Sequence, residues 1–339
     1  MSSTLIKPDR LRPGDTLGII SPSSPTRTFF PERFDHALRQ IETLGFRTVV
    51  GPCASQSEGY RSAPVRDRAE EIHAFLRDDS VHGIVAALGG SNSNSIIPFL
   101  DWSLIRRKPK VFVGYSDVTA LLLAIHAQTG LVTFHGPALL PSFGEWPGVA
   151  AYTRDSFLRA VTDTGDGRPA CPFPPEWTEE RLEWRGDSWK SMKKTQPNQG
   201  WRCLREGSAR GALVGGNLNT FCGFIGTRYF PAIDGTILFI EESYQGLASL
   251  ERSLYMLRLH KVFDVINGLL VGKMEKLDGQ NAPFGASELI LEATDGFDFP
   301  ILSEVDLGHT SPMLTLPIGC PAFLDSAKGI LRLEDSGVR

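Results

Sequence analysis

The sequence is poor in the features that mark several large classes of protein. Its five cysteines (Cys53, Cys171, Cys203, Cys222, Cys320) are odd in number, widely spaced and form no CxxC pair. That argues against a disulfide framework and for reduced thiols in a cytoplasmic setting. The seven histidines make no HExxH and no Cys/His cluster, so neither a structural nor a catalytic zinc is expected. Nothing approaches the ~20 consecutive apolar residues of a bilayer-crossing helix, and Met1 to Arg10 lacks the apolar core of a signal peptide. Charge of one sign is lacking too: 35 Lys and Arg stand against 39 Asp and Glu. Without a basic stripe, nucleic acid is not an expected partner, and neither is a membrane.

What is present is an ordinary globular composition, 41% hydrophobic and 22% charged. A chain of 339 residues exceeds one ordinary core and predicts two domains. Strand and helix patterns alternate in the first half. Residues 15–21 read as a buried strand, Phe34 to Leu44 as a helix closed by Gly45, and Arg47 to Val50 as a second strand. Ala69 to Leu76 mark another helix, and residues 83–88 a third strand ending at Gly89-Gly90. This alternation predicts a parallel sheet covered on both faces, of the flavodoxin or Rossmann-like kind. Ligands of such sheets bind beyond the carboxyl ends of the strands.

The most telling segment is Val111-Phe112-Val113-Gly114-Tyr115-Ser116-Asp117-Val118-Thr119. A strand pattern ends at Gly114 and a helical one begins straight after Ser116, which places a hydroxyl on a strand-to-helix turn. Such a hydroxyl is a candidate nucleophile, although serine and aspartate also simply cap helices. Val118 stands where the G-x-S-x-G elbow would carry its second glycine, which argues against an ordinary α/β-hydrolase esterase.

The texture changes between about 145 and 210, where Pro, charged residues and four of the six tryptophans (Trp177, Trp184, Trp189, Trp201) crowd together. The expected organisation is an α/β domain over residues 1–165, a linker with a Trp-rich inserted loop over 166–210, and a smaller β-rich α/β domain over 211–339. In the last of these, residues 236–240 form a strand ending on Glu241-Glu242, and Leu247 to Leu257 mark a helix. Strands are also expected at 267–272, around 314–318 and at 330–333. A serine nucleophile needs a base oriented by a carboxylate. Glu241 at a strand end and His309 in a Gly-His-Thr turn are candidates, with ordinary structural roles open to both. Backbone N–H groups of Asp117 and of the Gly89-Gly90 turn are candidate oxyanion donors.

These motifs together resemble the LD-carboxypeptidase family of serine peptidases, and most closely its microcin C self-immunity branch. The matching residues run from Lys7-Pro8 and Ser21-Pro22-Ser23 through Gly89-Gly90-Ser91-Asn92-Ser93-Asn94 and Gly114 to Thr119. They continue with Gly215-Gly216-Asn217-Leu218, Ile240-Glu241-Glu242, Gly272-Lys273, Gly308 to Met313 and Leu316 to Gly319. The resemblance implies a Ser116–Glu241–His309 triad, an oxyanion hole at Gly90 and Asp117, a homodimer, and no metal or organic cofactor. It puts Gly89, Ser91, Asn92 and Asn217 beside the substrate and makes Trp184 the ring that stacks on a base. The implied reaction is cleavage of the amide of an aminoacyl or peptidyl nucleotide. The alternatives are a murein tetrapeptide LD-carboxypeptidase that releases D-alanine, and a nucleotide-binding module without turnover.

Overall fold

The structure, a computed structural model, describes residues 5–165 and 169–339. The first four residues of the N-terminal segment, and residues 166–168 at the expected start of the linker, lie outside the described residues.

The first half runs β1 (Thr16–Ile20), α1 (Pro31–Thr43), β2 (Arg47–Val50), α2 (Val65–Arg77), β3 (Val81–Ala86), α3 (Trp102–Arg107), β4 (Val111–Gly114), α4 (Thr119–Thr129), β5 (Thr133–His135) and α5 (Ala151–Thr162). The second half holds β6 (Glu176–Trp177), β7 (Gln196–Pro197), β8 (Arg202–Arg205), β9 (Ser208–Asn217), α6 (Leu218–Cys222), β10 (Ile237–Glu241) and α7 (Leu247–Leu259). It ends with β11 (Gly268–Gly272), α8 (Ala286–Ala293), β12 (Ile301–Val305), β13 (Leu316–Ile318), β14 (Pro321–Asp325) and β15 (Ile330–Leu333).

Strands β1 to β5 are parallel neighbours in the order β5-β4-β3-β1-β2. The apolar residues of β1, β3, β4 and β5 are buried on both faces, as a helix-covered parallel sheet requires, while those of the edge strand β2 are half-buried. The second sheet is mixed, in the order β15-β14-β9-β10-β11-β12-β8, with β9 to β12 parallel and the flanking strands antiparallel. The α/β class with a parallel first sheet and a β-rich second one is therefore as expected.

Three local features differ from the sequence reading. The helix after Ser116 does not start at once: a single 3-10 turn, Ser116–Val118, precedes α4. The second sheet draws β8 and the start of β9 from residues 202–210, the end of the stretch expected as a linker. Strand β13 leaves the second sheet altogether and pairs antiparallel with β5, Leu316 opposite His135. It covers what would be an open edge of the first sheet.

Helix α4 explains how the halves meet. Leu121, Leu122, Leu123, Ala124 and Ile125 are all buried, so the helix is apolar all round rather than amphipathic. It packs on β4, β5 and β13 of the first sheet and on β9 and α6 of the second half. One apolar core consequently runs through both sheets, and the carboxyl ends of β4 and β10 face a common space.

Candidate active site

Close packing shapes the turn that carries Ser116. A Cβ on Gly114 would lie 2.7 Å from Val118 and 3.2 Å from Ala86, so β4 can end flush against its neighbours only as glycine. Ser116 itself has φ 61°, in the left-handed region that L-residues avoid at a cost of roughly 1–2 kcal/mol. The strained turn projects the hydroxyl beyond the sheet edge, as in nucleophile elbows.

His309 Nε2 lies 3.0 Å from Ser116 Oγ, and His309 Nδ1 lies 2.6 Å from Glu241 Oε2. An ionised carboxylate only accepts, so Nδ1 carries the ring proton and Nε2 accepts from the serine hydroxyl. Glu241 ends β10 and is fully buried. Glycines make room for it: a Cβ on Gly308 would meet its Oε2 at 2.7 Å, and one on Gly272 its own Cβ at 2.9 Å. Burial alone would raise the Glu241 carboxyl, but the charge and hydrogen bond of His309 outweigh it and hold the group below its ordinary value. The same pair works in reverse on His309, where burial pulls down but Glu241 pushes the imidazole above its ordinary value.

Two aromatic neighbours, neither singled out by the sequence, hold the histidine. Tyr115 meets the His309 ring edge-on at 4.9 Å. His135, fully buried, donates from Nε2 to the Leu307 carbonyl at 2.6 Å, two residues before His309. Burial lowers the His135 pKa and favours its neutral form. The sequence places His135 only near a strand end, since its partner lies 172 positions away.

The Gly89-Gly90 turn lies against the elbow. A Cβ on Gly89 would sit 3.2 Å from Ser116 Cβ and 3.3 Å from the Asp117 nitrogen. Gly90 has φ +157°, and its Cβ would overlap the Ser23 hydroxyl at 2.3 Å, so this turn requires glycine. The Asp117 carboxylate accepts from the Asn92 and Ser93 amides at 3.2 and 3.0 Å, while Ser93 Oγ donates to the Asp117 carbonyl at 2.7 Å. Asn92 is not among the residues that line the cavity; its side-chain oxygen accepts from the buried Arg68 guanidinium at 2.6 Å. Asn217 lines the cavity and also caps α6, accepting from the Thr220 N–H at 3.1 Å.

A cavity of about 590 Å³ opens at Ser116 and His309 and is lined also by Gly89, Gly90, Ser91 and Trp184. The β6–β7 hairpin loop closes one side. It is bonded to the turn after His309 by paired Thr178–Ser311 backbone bonds of 2.8 and 2.9 Å. Arg181 then pairs with the buried Glu275, its Nε donating at 2.8 Å, and Trp184 lies over Arg33 at 4.5 Å and edge-on to Phe30 at 5.3 Å. The other loop tryptophans staple it down. Trp189 is buried beside Trp146, Trp201 donates to Asp306 at 2.9 Å, and Trp177 lies near the Lys273 ammonium. Among the described residues there is no metal-binding cluster of His, Cys, Asp or Glu. No helix among them is long and apolar enough to cross a membrane.

This arrangement has close counterparts. The model of the LD-carboxypeptidase N-terminal domain matches residues 17–136, and that of the C-terminal domain matches residues 210–324. The microcin C7 self-immunity protein MccF of Escherichia coli is 38% identical over 315 residues, covering 92% of this chain and 91% of that protein. A structure of MccF in complex with aspartyl sulfamoyl adenosine superimposes with a TM-score of 0.94 at 36% identity, over 98% of this chain and 100% of that one. An MccF-like protein from Bacillus anthracis gives 0.87 at 32% identity, over 97% and 99%. The chain therefore belongs to the LD-carboxypeptidase family, whose members include the microcin C self-immunity proteins, and is an enzyme of the serine-peptidase type.

Proposed function

We propose that this enzyme hydrolyses the amide that joins an aminoacyl or peptidyl group to a nucleotide-like moiety, with Ser116 as nucleophile, His309 as base and Glu241 as its orienting carboxylate. The observation that carries the reading is the unbroken Ser116–His309–Glu241 hydrogen-bonded line, opening into a cavity that an indole also lines. As Ser116 Oγ attacks the carbonyl carbon, its proton passes to His309 Nε2, and Glu241 stabilises the imidazolium that forms. The oxyanion of the tetrahedral intermediate is taken by the backbone N–H groups of Gly90 and Asp117. His309 then protonates the leaving nitrogen as the C–N bond breaks, which leaves an acyl ester on Ser116. Water, deprotonated by His309, attacks the ester, releases the acid and restores the serine.

Trp184 supports a nucleotide as the leaving part. Its ring lines the cavity and is backed by Arg33 and Phe30, and an indole face stacks on bases. That MccF was solved with an aminoacyl sulfamoyl adenosine supports the same substrate class. The family's carboxypeptidase members supply the second reading, removal of D-alanine from a murein tetrapeptide.

The test is a mass-spectrometric assay of the enzyme and its Ser116→Ala variant on two compounds, an aminoacyl sulfamoyl adenosine and a murein tetrapeptide. Release of sulfamoyl adenosine by the wild type alone is the expected result. Release of D-alanine alone would replace it with the second reading, and full activity in Ser116→Ala would overturn the role of the serine in both.

A further inference from the structure

Arginine is seldom fully buried without a carboxylate beside it. Arg68 on α2 is 1% exposed, yet its hydrogen-bond partners among the described residues are all neutral. Its Nη1 donates to the Pro22 carbonyl and to Asn92 Oδ1, each at 2.6 Å, and its Nη2 donates to Ser95 Oγ at 3.2 Å. Burial works against its charge, so the guanidinium is held here for what it bonds rather than for packing.

Those bonds join two loops that leave the carboxyl ends of neighbouring strands, residues 21–24 after β1 and residues 89–95 after β3. Nearer the cavity the same loops are bonded again. Ser23 Oγ accepts from the Ser91 and Asn92 N–H groups at 3.1 and 3.2 Å, and the Ser24 N–H donates to the Gly89 carbonyl at 3.2 Å. Gly90 lies between them, its Cβ direction filled by the Ser23 and Ser24 hydroxyls, so its backbone follows the first loop. Asp117 follows the second, because its carboxylate accepts from the Asn92 and Ser93 N–H groups. The two N–H groups assigned above to the oxyanion are thus both set by how these loops meet. Asn92 does not line the cavity, so the Arg68–Asn92 bond reaches the site only through the backbone. A rigid guanidinium fork suits three acceptors at fixed angles, whereas an ammonium is a point charge on a flexible stem.

We infer that Arg68 is a positioning residue of the oxyanion hole: by clamping Asn92 to Pro22 it fixes where the Gly90 and Asp117 N–H groups point. The inference rests on the serine mechanism proposed above and holds for either substrate. Donors for an oxyanion act only if they are in place before the charge develops, and this clamp supplies that order. It also gives Asn92 a task away from the substrate.

The experiment measures kcat and KM on whichever of the two compounds above the wild type cleaves. In Arg68→Met and in Asn92→Leu, kcat should fall with KM little changed, by about a hundredfold if a donor shifts by about 1 Å. Arg68→Lys keeps the charge without the fork and should fall with them. Asn92→Asp keeps the acceptor for Arg68 and should retain most of the wild-type kcat. The double variant Arg68→Met/Asn92→Leu should be no slower than Arg68→Met alone, because both changes break one link. A fully active Arg68→Lys, losses that multiply in the double variant, or losses confined to KM would each overturn the clamp. Should Arg68→Met fail to fold, the half-buried Asn92 decides: equal kcat in Asn92→Leu and Asn92→Asp would overturn it. Full activity in Ser116→Ala would instead overturn the serine mechanism, and this inference with it.

Discussion

Thr119 Oγ1 accepts a hydrogen bond from the backbone N–H of Asn217 at 3.1 Å, across 98 positions of sequence. Thr119 opens α4 just after the turn of Ser116, and Asn217 pairs in register with Glu241 between β9 and β10. One side chain thus sets the turn of Ser116 against the strand that ends on Glu241. Gly216 permits the approach, since a Cβ there would meet Thr119 at 2.5 Å.

Thr119→Val removes that acceptor at nearly constant shape and strands a buried N–H. The expected cost is about 1–3 kcal/mol of stability, read by urea unfolding, together with a fall in kcat. Thr119→Ser should restore both, and a valine variant with unchanged kcat would show that the contact does not position the site.

The strain at Ser116 gives a second, opposed pair of outcomes. Both Ser116→Ala and Ser116→Gly should be inactive. Only glycine accepts φ 61° freely, so the glycine variant should unfold at a higher temperature than the alanine variant, by roughly 1 kcal/mol in stability. Calorimetry that ranked alanine above glycine would contradict a strained elbow.

The pH dependence follows from the His309–Glu241 pair. In the proposed mechanism only neutral His309 accepts the serine proton, and Glu241 holds its pKa above the ordinary 6.5 against the pull of burial. The rate constant kcat/KM should therefore rise with pH through a midpoint above that value, and Glu241→Gln should move the midpoint down. The stability that His309 gains from the pair is complete below pH 6.5 and is lost as pH climbs through its raised pKa. That gained by Glu241 is present above its ordinary 4.5 and is lost as pH falls through its lowered pKa. The pair thus contributes most between those two values. A midpoint indifferent to Glu241→Gln would separate the carboxylate from the base.

Trp184→Ala should raise KM for an aminoacyl sulfamoyl adenosine by about tenfold or more, since stacking on a base is worth ~1–3 kcal/mol. It should leave kcat for a substrate without a base largely unchanged. Equal effects on both substrates would assign the indole to the integrity of the loop.

Much of this site could be read from local sequence. A β-branched run stopping at Gly114, an apolar strand ending on Glu241 and a Gly-His-Thr turn each announce a polar group at the end of an element. What stayed hidden depends on contacts distant in sequence. The Arg181–Glu275 pair spans 94 positions and joins a loop to a strand end. Asn92 was expected beside the substrate because its neighbours form a recognisable run, but adjacency does not fix direction, and its side chain turns to Arg68. Strand β13 was misplaced for a related reason: Leu316 to Ile318 is plainly apolar, but three residues cannot specify which of two sheets they complete.

The return of β13 to the edge of β5 also bears on the order in which the protein comes into being. During synthesis, five strands of the first sheet emerge before β13 with one flank open, and Ser116 emerges with them. His309, the base proposed for this serine, follows it by 193 positions, and the strand that seals the flank comes later still. On the proposed mechanism the nascent chain carries a silent hydroxyl until His309 and β13 have been made.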